Sequence, residues 1–287
     1  MEYLKKGDTI AIIAPSGPIK DFETLKKCIN FFEVAGYKIK TGKHLKAQNN
    51  YLAGTDKERL FDLHSAFLDK ETKLILTARG GYGATRLLPF IDYKIIKANP
   101  KPIIGYSDIT ALLNTLPCPC FLGPMGVSDF GQNPDEVTIT SFFETLSNKA
   151  SRYYKTSDFA TINKGISKGQ LIGGNLSVLC SLLGTPYQPD FKGKILLLED
   201  INEPLYKLDR MLTQLKQTGA LDCITGIIFA DFDCKKDKEF ISFLKSFLKN
   251  TPAFLGFDCS HQKRKYTLEL KKEYTLDTIQ GSLSLNN

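Results

Sequence analysis

The tetrapeptide Gly105-Tyr106-Ser107-Asp108 follows the apolar run Pro102-Ile-Ile and precedes a helical pattern from Ile109 to Leu116. A tight turn between strand and helix projects a serine off the sheet edge, which is where a nucleophile is needed. The next backbone N–H, that of Asp108, opens the helix, where unsatisfied amides and the helix dipole favour negative charge and can hold an oxyanion. The strict G-x-S-x-G pattern is absent, because Ile109 stands where the second glycine would be. Taken alone, a serine at a strand end is more often a helix N-cap, so both readings stay open.

A serine nucleophile needs a base, usually histidine, and the chain has three. His64 shares a helical face with Leu60 and Phe67, which predicts a packed or half-buried role. His44 lies in a lysine-rich polar stretch and reads as solvated. His261, within Asp258-Cys-Ser-His-Gln-Lys-Arg264, falls in a loop between expected strands, a position that suits a base and a surface histidine alike. A third group should orient the imidazole and stabilise its cation. Glu199 and Asp200 end the apolar strand Ile195–Leu198. A carboxylate at the end of a buried strand needs a partner or water, which favours Glu199 over the surface acids. Asp200 or Glu203 is also expected to cap the helix that follows.

Gly80 and Gly81, in Arg79-Gly-Gly-Tyr-Gly83, allow close backbone approach and offer a second oxyanion donor. The run is neither G-x-G-x-x-G nor a P-loop with its Lys-Ser/Thr, which argues against nucleotide binding.

These residues must be placed by their elements. Thr9–Pro15, Tyr37–Lys40, Lys73–Thr77 and Pro102–Gly105 read as strands, and Asp21–Ala35, the Thr55–Glu58 capping box with the face beyond it, and Ile109–Leu116 read as helices. Alternating strands and helices imply an α/β fold, a mostly parallel sheet covered on both faces, with working groups at the carboxyl ends of its strands. Pro15-Ser-Gly17, Arg79-Gly80-Gly81 and Ser107-Asp108 all fall at such ends. The polar segment Asn148–Asn163 reads as a linker. Beyond it come a glycine-rich stretch (Gly169–Asn175), a strand at Lys194–Glu199, a helix carrying Leu208, Met211, Leu212 and Leu215, and a strand at Gly226–Ala230. The expected division is 1–150, a linker at 151–165, and 166–287.

The chain of 287 residues is 42% hydrophobic and 24% charged, ordinary for a globular enzyme. Its net charge of +7 raises the question of nucleic acid, but only 6 of the 38 basic residues are arginine and the lysines are scattered, which describes a solvated surface instead. No apolar run approaches a membrane span and the start lacks a signal-peptide layout, so a cytoplasmic protein without membrane or nucleic-acid partners is expected. Seven cysteines form no paired C-x-x-C framework, and Cys118-Pro-Cys120 is too tight for the usual zinc hairpin. Reduced thiols, no metal and no cofactor are the expectation.

Several stretches in fixed order carry a resemblance: Gly7-Asp8-Thr9-Ile-Ala-Ile-Ile-Ala-Pro-Ser-Gly17, Ala53-Gly54-Thr55-Asp56, Arg79-Gly80-Gly81-Tyr82-Gly83, Gly105-Tyr106-Ser107-Asp108, Gly123-Pro124-Met125, Gly173-Gly174-Asn175, Leu198-Glu199-Asp200 and the His261 segment. Together they resemble the LD-carboxypeptidase family of serine peptidases, which also contains the microcin C immunity proteins. The resemblance implies a Ser107–Glu199–His261 triad, an oxyanion hole from the N–H groups of Gly81 and Asp108, and a substrate-binding loop with Arg79 and Gly80. It also implies a flavodoxin-like N-terminal sheet carrying Ser107 and a second mixed α/β domain of the swivelling β/α type carrying Glu199 and His261. Homodimers and removal of the terminal D-alanine from a murein tetrapeptide in cell-wall recycling are further implications. Microcin-type immunity and a non-catalytic muropeptide-binding role are the alternatives. Two positions depart from the family pattern: Ser260 precedes His261 where glycine is usual, and Leu122 stands where a histidine often precedes Gly-Pro-Met.

Overall fold

The computed structural model describes residues 2–147, 153–230, 232 and 236–286. The chain divides into two compact units, Met1–Ala150 with Lys263–Leu268, and Ser151–Gln262 with Glu269–Asn287.

Unit 1 is built on a six-stranded sheet. Its strands are β1 (Thr9–Ile13), β2 (Lys38–Thr41), β3 (Thr72–Thr77), β4 (Ile103–Gly105), β5 (Cys120–Leu122) and the late, short β12 (Leu268–Glu269), in the order β12-β5-β4-β3-β1-β2. The pairs from β2 through β5 are all parallel. Every residue of β1 is buried, and successive side chains point to opposite faces, so the sheet is covered on both sides. β2 is mostly exposed and carries Lys38 and Lys40, which suits an edge strand. The order 2-1-3-4-5 reverses direction between β1 and β3, the switch point at which such sheets open a crevice beyond their carboxyl ends.

The local signals behave as their chemistry demands. Helix Phe22–Val34 starts on an Asp21 cap and gives way to Gly36, whose φ of 91° suits glycine. Helix Asp56–Leu68 opens on a full capping box between Thr55 and Glu58. Its Arg59 is 1% exposed and donates from Nη1 to the carbonyls of Pro15 (2.6 Å) and Gly83 (2.8 Å), tying two loops at the strand ends.

Unit 2 holds an eight-stranded mixed sheet in the order β6-β14-β13-β8-β9-β10-β11-β7. Its strands are β6 (Tyr153–Lys155), β7 (Ala160–Asn163), β8 (Ile166–Asn175), β9 (Lys194–Glu199), β10 (Gly226–Phe229), β11 (Ala253–Leu255), β13 (Glu273–Asp277) and β14 (Ser282–Leu285). β8 to β11 run parallel and the outer pairs antiparallel. Leu196, Leu198, Ile227 and Phe229 pack with Leu208, Leu212 and Leu215 of helix Leu205–Gln217.

Two expectations change, and a segment left without a structural assignment gains one. The stretch 151–165 is no linker where it is described: β6 and β7 within it close the two ends of the second sheet, with Tyr154 and Ile162 buried. The glycine-rich segment is the carboxyl half of β8, the longest strand; a Cβ at Gly173 would lie 2.0 Å from the Leu197 carbonyl oxygen, so glycine there permits close strand approach. The last part, 166–287, is not one piece, since Lys263–Leu268 belongs with unit 1. Among the described residues no helix is long and apolar enough to cross a membrane.

Candidate active site

Ser107 sits just past the end of β4, half-buried, with φ of 61°. That left-handed conformation is strained for a residue with a Cβ, and such strain persists only where the surroundings over-determine it. The surroundings here are explicit. A Cβ built on Gly80 would lie 2.8 Å from Ser107 Cβ and 2.9 Å from its Oγ, so only glycine lets the loop after β3 lie against the serine. The Gly80 carbonyl accepts from Gly17 N–H (3.2 Å), and Gly81 follows with φ of 130°. Arg79, half-buried, donates to the Gly80 and Pro18 carbonyls, both at 3.3 Å, so its guanidinium braces this loop.

Asp108 is 4% exposed, and its Oδ2 accepts from Ser16 Oγ (2.5 Å) and Ala84 N–H (2.8 Å). One carboxylate thus knots together the chain after β1, β3 and β4. The serine is not a side-chain cap: helix Thr110–Thr115 begins beyond a short 3-10 turn, Ser107–Ile109, with no capping bond. Unit 1 therefore brings Ser107, Asp108, Gly80 and Gly81 into one loop cluster.

Unit 2 brings Glu199 and His261 together. Glu199 ends β9 fully buried, and its Oε2 lies 2.6 Å from Nδ1 of His261, a residue 19% exposed in the loop after β11. When Glu199 is ionised it can only accept, and a neutral imidazole bonded to it then donates from Nδ1 and keeps its lone pair on Nε2. Burial pushes the Glu199 carboxyl above the ordinary range, opposed by the bond from His261. Ser260, completely buried, takes φ of 56°. The turn before His261 thus needs the conformation that glycine adopts freely, and serine adopts it here under strain.

Other expectations move. Asp200 does not cap the helix after it; its carboxylate accepts from Ser177 N–H (2.9 Å) and Asn175 Nδ2 (3.1 Å), serving the helix Leu176–Leu182 that begins beside the neighbouring strand end. Glu203 pairs with Lys207 at 3.1 Å, and helix Leu205–Gln217 has no side-chain cap. His44 is not simply solvated: its Nδ1 meets the buried Asp62 at 3.0 Å. His64 is half-buried, accepts from Asp92 N–H at Nε2 (3.0 Å), and has its pKa lowered by burial. Leu122 is core at the end of β5. The six described cysteines form no disulfide, Cys234 lies outside the described residues, and among the described residues no His, Cys, Asp and Glu cluster could hold a metal.

Sequence reasoning passed over Ser16, whose hydroxyl reaches Asp108, and Lys265, buried against Asp129 and Tyr106. Ser16 had one signal, its place at a strand end between Pro15 and Gly17. Lys265 had none, since it sits beside Lys263 and Arg264 and looks like surface.

Residues 10–120 match the family model described as the LD-carboxypeptidase N-terminal domain, and residues 168–276 match that of the C-terminal domain. A probable murein peptide carboxypeptidase of Bacillus subtilis is 37% identical, over 96% of this chain and 91% of that protein. The microcin C7 self-immunity protein MccF of Escherichia coli is 31% identical, over 98% of this chain and 94% of its own. Among solved structures, an MccF-like protein from Bacillus anthracis superposes with a TM-score of 0.91 at 28% identity, covering 99% of this chain and 98% of that one. Fold, site and relatives define a serine-type carboxypeptidase. The chain belongs to the LD-carboxypeptidase family.

Proposed function

We propose that this protein removes the terminal D-alanine from murein tetrapeptides through an acyl-enzyme on Ser107. The observation that carries the reading is a chain that holds both a left-handed, half-buried serine at a strand end and a buried Glu199 bonded to His261. His261 Nε2 takes the Ser107 proton as Oγ attacks the carbonyl of the L-configured centre. The N–H groups of Gly81 and Asp108 hold the developing oxyanion, Gly80 leaves room beside the serine, and Arg79 meets the substrate's carboxylate. The C–N bond breaks, D-alanine leaves with the proton from His261, and water then hydrolyses the ester with His261 again as base. Glu199 keeps the imidazole in its Nδ1–H tautomer and stabilises the imidazolium. Cytoplasmic murein recycling and a homodimeric state complete the reading, which needs no metal or cofactor.

The test is incubation of the purified protein with murein tetrapeptide and quantitation of free D-alanine. Release by the wild-type chain and none by Ser107→Ala is expected; release undiminished in that variant would overturn the role of Ser107. The similarity to MccF, which has been solved with glutamyl sulfamoyl guanosine and aspartyl sulfamoyl adenosine bound, supplies the second reading, hydrolysis of an aminoacyl-sulfamoyl nucleoside. Turnover of that substrate with no D-alanine release would favour it.

A further inference from the structure

We propose that Lys265 is a positioning residue for the nucleophile turn. The inference rests on the reading of Ser107 as nucleophile. Lys265 is 3% exposed, and its Nζ is ion-paired with Oδ1 of Asp129, itself 7% exposed. The same Nζ lies 5.0 Å from the ring centroid of Tyr106, the residue immediately before Ser107. The Tyr106 hydroxyl is 3.5 Å from the same Asp129 oxygen, while Asp129 Oδ2 accepts from Met125 N–H (2.7 Å). The backbone at 265 is fixed as well, with its N–H donating to Thr138 Oγ1 (3.0 Å), and Thr267 N–H donating to Ser141 Oγ (2.9 Å).

A buried lysine is a poor stabiliser: removing two charges from water offsets most of their attraction, and apolar groups of similar volume often do as well. The geometry gives it another use. Tyr106 is bonded directly to the strained residue, so the turn at Ser107 starts from wherever Tyr106 is fixed. The Lys265 cation over the face of its ring anchors Tyr106, and so restrains the residue from which the left-handed turn begins.

The double variant Asp129→Asn with Lys265→Met removes both charges together, so no unpaired buried charge confounds the result. The expected outcome is a folded protein in which kcat for D-alanine release falls about 10- to 100-fold while KM stays within about twofold, as for a misplaced reacting group. Labelling of Ser107 by a fluorophosphonate should slow by a similar factor, and a crystal structure should show Ser107 out of the left-handed region. A turn unchanged in the crystal, or wild-type labelling and kcat, would overturn the proposal. Absence of D-alanine release from the wild-type chain would count against the substrate alone, since labelling and the crystal structure do not depend on it.

Discussion

Two serines in this protein occupy the left-handed region, Ser107 at φ 61° and Ser260 at φ 56°, and they do so for different reasons. The turn at Ser107 is surrounded by bonds that point at it: Asp108 to Ser16 and Ala84, Gly80 against its Cβ, Lys265 over the preceding tyrosine. Its own residue is only half-buried, and its side chain is what the strained turn displays. Ser260 is fully buried, and its Oγ makes a long contact, 3.7 Å, with Cys259 Sγ. There the backbone conformation matters, because it aims the next residue, His261, at Glu199. The same strain serves a side chain in one case and its neighbour in the other.

The largest effect should come from separating strain from chemistry at position 107. Ser107→Ala keeps a Cβ in the same conformation and should lower kcat by about 10⁴-fold or more with the fold intact. Ser107→Gly should be just as inactive yet more stable than the alanine variant, by about 0.5–1 kcal/mol. That figure is the ~1–2 kcal/mol left-handed penalty less the extra freedom glycine brings to the unfolded chain. Urea unfolding of the two variants side by side checks it, and equal stabilities would mean that Ser107 carries no strain.

Next comes Glu199→Gln, which keeps an acceptor for His261 Nδ1–H but removes the buried charge. A loss of about 10³- to 10⁴-fold in kcat is expected, because the imidazolium loses its counter-charge. Stability relative to the wild type should change with pH. Burial raises the Glu199 pKa in the folded protein, so the folded state holds its proton more tightly than the unfolded chain does. Wild-type stability from this group is full below the ordinary carboxyl value of about 4.3 and is lost as pH rises through the elevated folded value. The glutamine of the variant does not titrate, so the stability of Glu199→Gln relative to the wild type should be greater at about pH 8 than at about pH 4. Thermal midpoints at the two pH values measure this.

A smaller effect is expected at the loop that abuts the nucleophile. Gly80→Ala would set a methyl 2.8 Å from Ser107 Cβ, so either the loop or the serine must shift. A fall of about 10²-fold in kcat corresponds to a displacement of roughly an ångström at a reacting atom. Single-turnover labelling of Ser107 should slow in parallel.

How much of this was readable in advance follows the same contrast. The strand-turn-helix setting of Ser107, the Asp21 cap and the Thr55–Glu58 box are short-range patterns, and residue types within a few positions specify them. Asp108 as a knot between three strand ends was not readable, because its partners lie 92 and 24 residues away. β6 and β7 were hidden because they are only three and four residues long, too short for an alternation to stand out in the sequence. Lys265 was hidden by its neighbours: a lysine close to another lysine and an arginine reads as solvated unless the fold carries a buried acid such as Asp129 to meet it.

The smallest effect is the sharpest test of the contrast between the two turns. At Ser260 a glycine would adopt φ 56° freely, and the lost hydroxyl gives up only a weak contact to sulfur. Relief of the left-handed penalty, ~1–2 kcal/mol, is offset by the greater freedom of glycine in the unfolded chain, ~0.4–1 kcal/mol. Ser260→Gly should therefore gain about 0.5–1 kcal/mol, a rise of roughly 1–4 °C in Tm for a domain of this size. Activity should stay within about twofold, because the backbone that aims His261 is unchanged. If the variant instead lost stability and kcat together, the buried hydroxyl would be part of what holds His261 against Glu199, and the two serines would be doing the same kind of work.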